Sequence, residues 1–153
     1  MNYGYVDKKQ IKKQIKMICN CLGGGENAQR LVFETAVAET GIGNIKDTTI
    51  GAGIGLTQFD KLPFDDTKIR GMKYRNKIYN GLGIDIDFVN WDDLRYSPFL
   101  CLLFTRLFYL LRPGAISSDI EERAKYWKKW YNTKLGKGTV EHYLEMNKKY
   151  GDA

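Results

Sequence analysis

The apolar run from Phe99 to Leu111, interrupted by Arg106, constrains the fold more than any other segment of this chain. It falls short of the roughly 20 residues that a membrane span requires, so its place is the interior of a folded domain. Ser97 supplies an N-cap and Pro98 a first helical position, while Arg112-Pro113-Gly114 ends the run, so it reads as a buried central helix. The remaining elements must then pack around it. With 153 residues, 43% of them apolar and 13% aromatic, the chain has material for one core, and residues 1–153 read as a single domain.

The flanking segments carry helical periodicity. Ile11, Ile15, Ile18 and Leu22 share one face of a first helix, with Lys8, Lys9, Lys12, Lys13 and Lys16 largely off that stripe. Those lysines form either a solvated face or a means of holding the protein near an anionic surface. Gly23-Gly24-Gly25 separates this helix from a second, Ala28 to Thr40, which Gly41 stops. A further helix is expected from Asp66 to Asn80, ended by Gly81. Ile84, Ile86 and Phe88 alternate with Asp85 and Asp87, which fits a short strand or an extended loop. Ser118 with Glu121 forms a capping box, after which Ile120, Ala124, Trp127 and Tyr131 share a face that makes Trp127 a core residue. Thr139 caps a last helix through Val140, Tyr143 and Leu144.

A net charge of +6 and a pI near 9.1 imply attraction to polyanions: nucleic acid, an anionic membrane, or an acidic wall polymer. No helix-turn-helix, zinc or RNA-binding signature accompanies the charge, so no nucleic-acid partner is expected. Cys19, Cys21 and Cys101 make an odd count with a spacing unsuited to a disulfide framework, and read as free thiols. With His142 as the only histidine and no Cys-x-x-Cys pair, no metal site and no cofactor are expected. The same scarcity argues against a Cys-His or Ser-His hydrolase, although Cys101 with His142 stays open. The start, Met1 to Asp7, lacks a basic segment followed by an apolar one, so no signal peptide is expected.

Glu39 falls in the last turn of the second helix. The negative end of the helix dipole and packing against an apolar wall both disfavour its ionised form, which is the condition for a general acid near neutral pH. The plainer alternative is a solvated glutamate at a helix end. Glu34 lies roughly 140° around the helix from it, so the two cannot pair, and Glu34 reads as a surface residue. Downstream, Gly51, Gly53 and Gly55 allow a tight backbone turn. They do not make a phosphate loop, because the Gly-Lys-Ser/Thr ending is missing and the glycines alternate.

Glu39-Thr40-Gly41, then Gly55-Leu56-Thr57-Gln58-Phe59, then Tyr131-Asn132 with Gly136 and Gly138, resembles the three-part signature of goose-type lysozymes and soluble lytic transglycosylases. The family's first motif is Glu-Ser-Gly, and here Thr40 stands for the serine. The second is Gly-Leu-Met-Gln, from which Thr57 departs. The third is Ala-Tyr-Asn, with Trp130 in place of the alanine. The resemblance spans Leu31 to Leu144. The stretch Tyr126 to Thr133 with Gly136 to Thr139 is also similar to small phage-encoded lysis proteins of this superfamily.

What the resemblance implies is a mostly α, lysozyme-like α+β domain with a small β-hairpin or loop region flanking the active-site cleft. It implies cleavage of the β-1,4 linkage between MurNAc and GlcNAc in bacterial peptidoglycan, with Glu39 as general acid and base. Gly55, Leu56, Gln58, Asp60, Tyr131 and Asn132 are the implied substrate-binding residues. Gln58 and Asn132 suit acetamido sugars because a neutral amide donates and accepts hydrogen bonds. Tyr131 is placed to orient Glu39 through its hydroxyl; as residues alone, Tyr131 and Asn132 read more readily as a core aromatic and a helix C-cap. An inverting hydrolase needs a second carboxylate about 6.5 to 9.5 Å from the first. Asp60 matches one family aspartate, the other falls on Thr49 with only Asp47 nearby, and a transglycosylase using Glu39 alone stays open. The implied setting is a monomeric phage endolysin, held in the host cytoplasm before release to the wall, without stable membrane insertion. A non-catalytic basic wall-binding protein on the same scaffold is the alternative.

Overall fold

The computed structural model describes residues 7–44, 53–133 and 136–152; Asp47, Thr49 and Gly51 lie outside these. Its centre is the helix formed by the apolar run, Pro98–Leu110, capped by the Ser97 hydroxyl accepting the Leu100 N–H and buried throughout from Cys101 to Tyr109. Arg106, the one charge in that run, is itself buried and donates from Nε to the Gly23 carbonyl at 3.1 Å. There its cation faces the negative end of the first helix, a favourable placement for charge at a helix C-terminus.

In chain order, α1 (Lys8–Leu22) buries Ile11, Ile15, Ile18 and Leu22 and leaves its lysines outside. Next, α2 (Gly25–Thr40) lies inside the molecule, with every residue from Leu31 to Ala38 buried, because α1, the central helix and the last helix all pack on it. That corrects the expectation for Glu34. Although Glu26 and Arg30 in its first turns are exposed, the stretch from Leu31 to Ala38 has no solvent face, and Glu34 is only 7% exposed. Arg123 Nε and Nη2 donate to its two oxygens, each at 2.7 Å, and the Tyr143 hydroxyl donates to Oε1 at 2.7 Å.

The helix expected over 66–80 begins earlier and breaks in the middle. α3 (Lys61–Arg70) and α4 (Arg75–Leu82) flank a 3-10 turn at Gly71–Tyr74. At Gly71 the chain comes so close to the central helix that a Cβ would stand 2.6 Å from Leu107. The stop is Gly83, whose φ of 73° only glycine adopts readily, and not Gly81. The alternating Ile84–Phe88 segment is no strand. Asp85 accepts both Arg75 guanidinium nitrogens at 2.7 Å, which holds its carboxyl below the usual range, and folds Ile86–Phe88 into a 3-10 turn. A third 3-10 turn, Trp91–Arg95, leads to the central helix, α5.

α6 (Ile120–Tyr126) is capped by Asp119 rather than Ser118, and continues directly as a π-helix over Trp127–Asn132. α7 (Val140–Tyr150) begins as expected at Thr139, whose hydroxyl accepts the His142 N–H. The expected β-hairpin is absent among the described residues. In its place one antiparallel bridge, Ile54 with Phe59, closes a tight loop. Among the described residues no helix is long and apolar enough to cross a membrane.

Candidate functional site

Loop 53–60 is fixed by its own sequence and by three helices. Ile54 and Phe59 exchange backbone hydrogen bonds of 3.2 and 3.0 Å, and the Gln58 N–H donates to the Gly55 carbonyl. The Thr40 hydroxyl, at the end of α2, donates to the Leu56 carbonyl at 2.7 Å and so ties the loop to that helix. From the π-helix, the Tyr131 hydroxyl donates to the Thr57 carbonyl at 2.7 Å. From α5, the Thr105 hydroxyl donates to that of Thr57 at 2.9 Å, so the threonine found in place of methionine has a buried polar partner. Phe59 anchors the loop in the core, with edge-to-face contacts to Phe64, Phe104, Phe108 and Tyr131.

These anchors leave a cleft of about 380 Å³ between the α2 C-terminus, the loop and the π-helix. That volume is within the range of small-molecule pockets. Glu39, Gln58, Asp60, Tyr131 and Asn132 all line it, together with Gly53, Trp127, Lys137 and His142. Gly55 and Leu56 do not. Leu56 is wholly buried, and at Gly55 a Cβ would stand 2.2 Å from the Leu94 carbonyl oxygen, so both build the wall from behind and neither faces the cleft. At Gly55 the backbone does come close to other groups, but these are the Leu94 carbonyl and Cys101 of the core.

Half-buried Glu39 accepts a hydrogen bond at Oε2 from the Trp127 indole N–H, 3.0 Å away. Trp127 is therefore both core residue and cleft residue. The sequence signal was the indole itself, a donor that needs a partner wherever it is buried, as this one is. Tyr131 does not orient Glu39 by its hydroxyl, whose proton goes to Thr57. Its ring stands close enough to feel the glutamate. Burial, with the Glu39 charge adding to it, pushes the Tyr131 phenol well above its usual value, and Tyr109 behind it follows for the same reasons.

The π-helix explains the third corner. Thr133 N–H reaches back to the Lys128 carbonyl, a loop one residue longer than in an α-helix. Such segments gather at functional sites because they turn neighbouring positions to one side. Here Trp127, Tyr131 and Asn132 line one cleft. Lys128 Nζ donates to Asn132 Oδ1 at 2.7 Å, and Gly138 packs against both Trp127 and the Asn132 amide. Trp130 points elsewhere, into an outer groove with Pro113 and Tyr126, so its bulk in place of an alanine is harmless to the cleft.

Gln58 is 9% exposed, with φ of 48°. Its Nε2 donates to the Gly55 carbonyl at 2.9 Å, and among the described residues Oε1 has no partner. A buried amide oxygen held in this way is an acceptor waiting for a donor. Partial burial of the Asp60 carboxyl pushes it up from the usual range, although the residue as a whole is exposed. His142 Nε2 donates to the Ala38 carbonyl at 3.0 Å, which fixes the ring against α2.

No family model, curated protein or solved structure matches this chain. The function therefore rests on the cleft. Nucleophilic cysteine chemistry does not fit it: Cys101 is fully buried away from the cleft, donates to the Leu94 carbonyl at 3.0 Å, and has a thiol pushed up to about 11 by burial.

Proposed function

We propose that this protein is a peptidoglycan glycosidase that cleaves the MurNAc to GlcNAc linkage, with Glu39 as general acid, in the manner of the goose-type lysozymes and lytic transglycosylases its motifs resemble. The observation that carries this reading is that Glu39, Gln58, Tyr131 and Asn132 line one cleft of about 380 Å³. In this reading the Gln58 amide, which lines the cleft, turns its buried Oε1, unpartnered among the described residues, to accept the N–H of an acetamido group. Lys128 occupies Asn132 Oδ1, which leaves the amide NH₂ to donate to a sugar oxygen. The Trp127 N–H holds the Glu39 carboxyl in one orientation while its proton passes to the glycosidic oxygen.

Two routes then complete the reaction. In the hydrolase route Asp60, on the same cleft, is the second carboxylate and takes the proton of the attacking water; in the transglycosylase route Glu39, now a carboxylate, takes the proton of the muramic acid 6-hydroxyl, whose oxygen closes on its own ring and leaves an anhydro product. The biological setting we propose is host lysis by a phage endolysin. Glu39→Gln is the test: the variant should bind walls and fail to lyse them, with a loss of about 10²- to 10⁴-fold in rate. Unchanged lysis would remove Glu39 from the chemistry. Mass spectrometry of fragments released by the native protein separates reducing ends from anhydro ends and so assigns the attacking group.

A further inference from the structure

We propose that the exposed face of α1 is a docking surface for a flexible, phosphate-bearing polymer of the bacterial wall, a location that rests on the glycosidase reading while the binding itself does not. The chain's net charge is +6, and α1 carries five lysines with no acidic residue. Nearly all of the excess positive charge is thus on one helix. Lys8 is occupied by the Gly151 carbonyl and Lys12 pairs with Asp152. Lys9, Lys13 and Lys16 are exposed and make no ion pair with any described residue. Spaced four and three residues apart, they form one stripe roughly 10 Å long at about 1.5 Å per residue.

This arrangement works against the helix that bears it. Like charges three and four positions apart repel, and lysines in the first turn oppose the helix dipole, with only the N-cap Asp7 to offset them. Stability does not account for such a stripe; a polyanion lying along it would. The charged residues of the face are all lysine, which binds phosphate as a point charge, with no arginine to fork a carboxylate. Nor is it built to enter a bilayer, because Ile11, Ile15, Ile18 and Leu22 are buried in the core and Met17 is its only exposed large apolar residue. It carries no aromatic ring for stacking nucleic-acid bases.

The test is sedimentation of the full chain with sacculi that retain their polyol-phosphate polymer, against the same sacculi chemically stripped of it, over a salt series. Scoring Glu39→Gln protein, which is not expected to cleave, keeps a failure of the glycosidase reading separate from a failure of this one. The proposal expects binding to the phosphorylated sacculi that weakens with salt, and at least tenfold weaker binding by K9E/K13E/K16E in that background. It also expects the logarithmic salt slope to flatten by about 2 in the variant, roughly 0.7 per lost contact on a flexible strand. In urea the variant should be at least as stable as its parent, since the change relieves repulsion. Equal binding by the variant, equal binding to stripped sacculi, or tighter binding to duplex DNA or to phosphatidylglycerol vesicles would each overturn the proposal.

Discussion

Trp127 donates its indole N–H to Glu39 across the junction of α2 and the π-helix, at 3.0 Å. The bond ties the proposed acid to a residue 88 positions away, and it depends on where α6 is held relative to α2, since both pack on α7. A direct tie between the two is the buried pair of Arg123 with Glu34, four residues before Trp127.

Trp127→Phe keeps an aromatic ring in the core and deletes the donor. Loss of a hydrogen bond to a charged group is worth about 1.5–3 kcal/mol, or roughly ten- to 100-fold. The expected result is a kcat lower by that factor with KM little changed, because the donor acts on the acid and not on the sugar. A fall in thermal stability alone, with kcat intact, would argue that the contact is structural.

Gln58→Leu removes the acceptor assigned to the acetamido group while keeping the volume near that of the glutamine. It should lower kcat/KM by roughly ten- to 100-fold, the cost of leaving a polar substrate group unpaired. Against a substrate analogue lacking the acetyl group, native and variant proteins should converge. If they differ there as much as on acetylated glycan, Gln58 holds the loop and does not read the sugar.

Arg123→Met leaves the Glu34 carboxylate buried with one fewer partner, which typically costs about 3–5 kcal/mol. Combining it with Glu34→Gln should recover part of that loss in urea unfolding, because the stranded charge is gone. The single variant should also lose lysis more steeply with temperature than the native protein, since α6 carries Trp127 and Tyr131 into the cleft.

The Cys101 thiol offers a test of burial by pH. Its folded value, about 11, lies above the ordinary 9.0. The unfolded thiol therefore ionises first as pH rises, so stability is unaffected below about pH 9 and falls between there and about 11. Once both states are ionised the loss is about 3 kcal/mol, given about 1.4 kcal/mol per unit. Urea unfolding at pH 8 and pH 10.5 should show a smaller drop for Cys101→Ala than for the native chain, with the buried tyrosines contributing equally to both.

Local rules determined much of this protein. The central helix, its Ser97 cap and Pro98 start, the inward stripe of α1, the Gly41 stop and the Thr139 cap all follow from periodicity and end chemistry within one or two turns. The three motifs also led to Glu39, Gln58, Asp60, Tyr131 and Asn132, which share one cleft. What the tertiary structure alone decided is which side chains meet across helices. Glu34 is inside because the second half of α2 is enclosed by its neighbours, a fact its own sequence does not carry. Gly55 and Leu56 stand behind the cleft because α5 and the Leu94 turn press against them. Alternation at Ile84–Phe88 made no strand, since strand pairing needs a partner edge and the Arg75 fork captured Asp85 first. Trp127 reached Glu39 because it directly follows α6, which the buried pair of Arg123 with Glu34 ties to α2, a contact between distant segments that the residues of neither one fix alone.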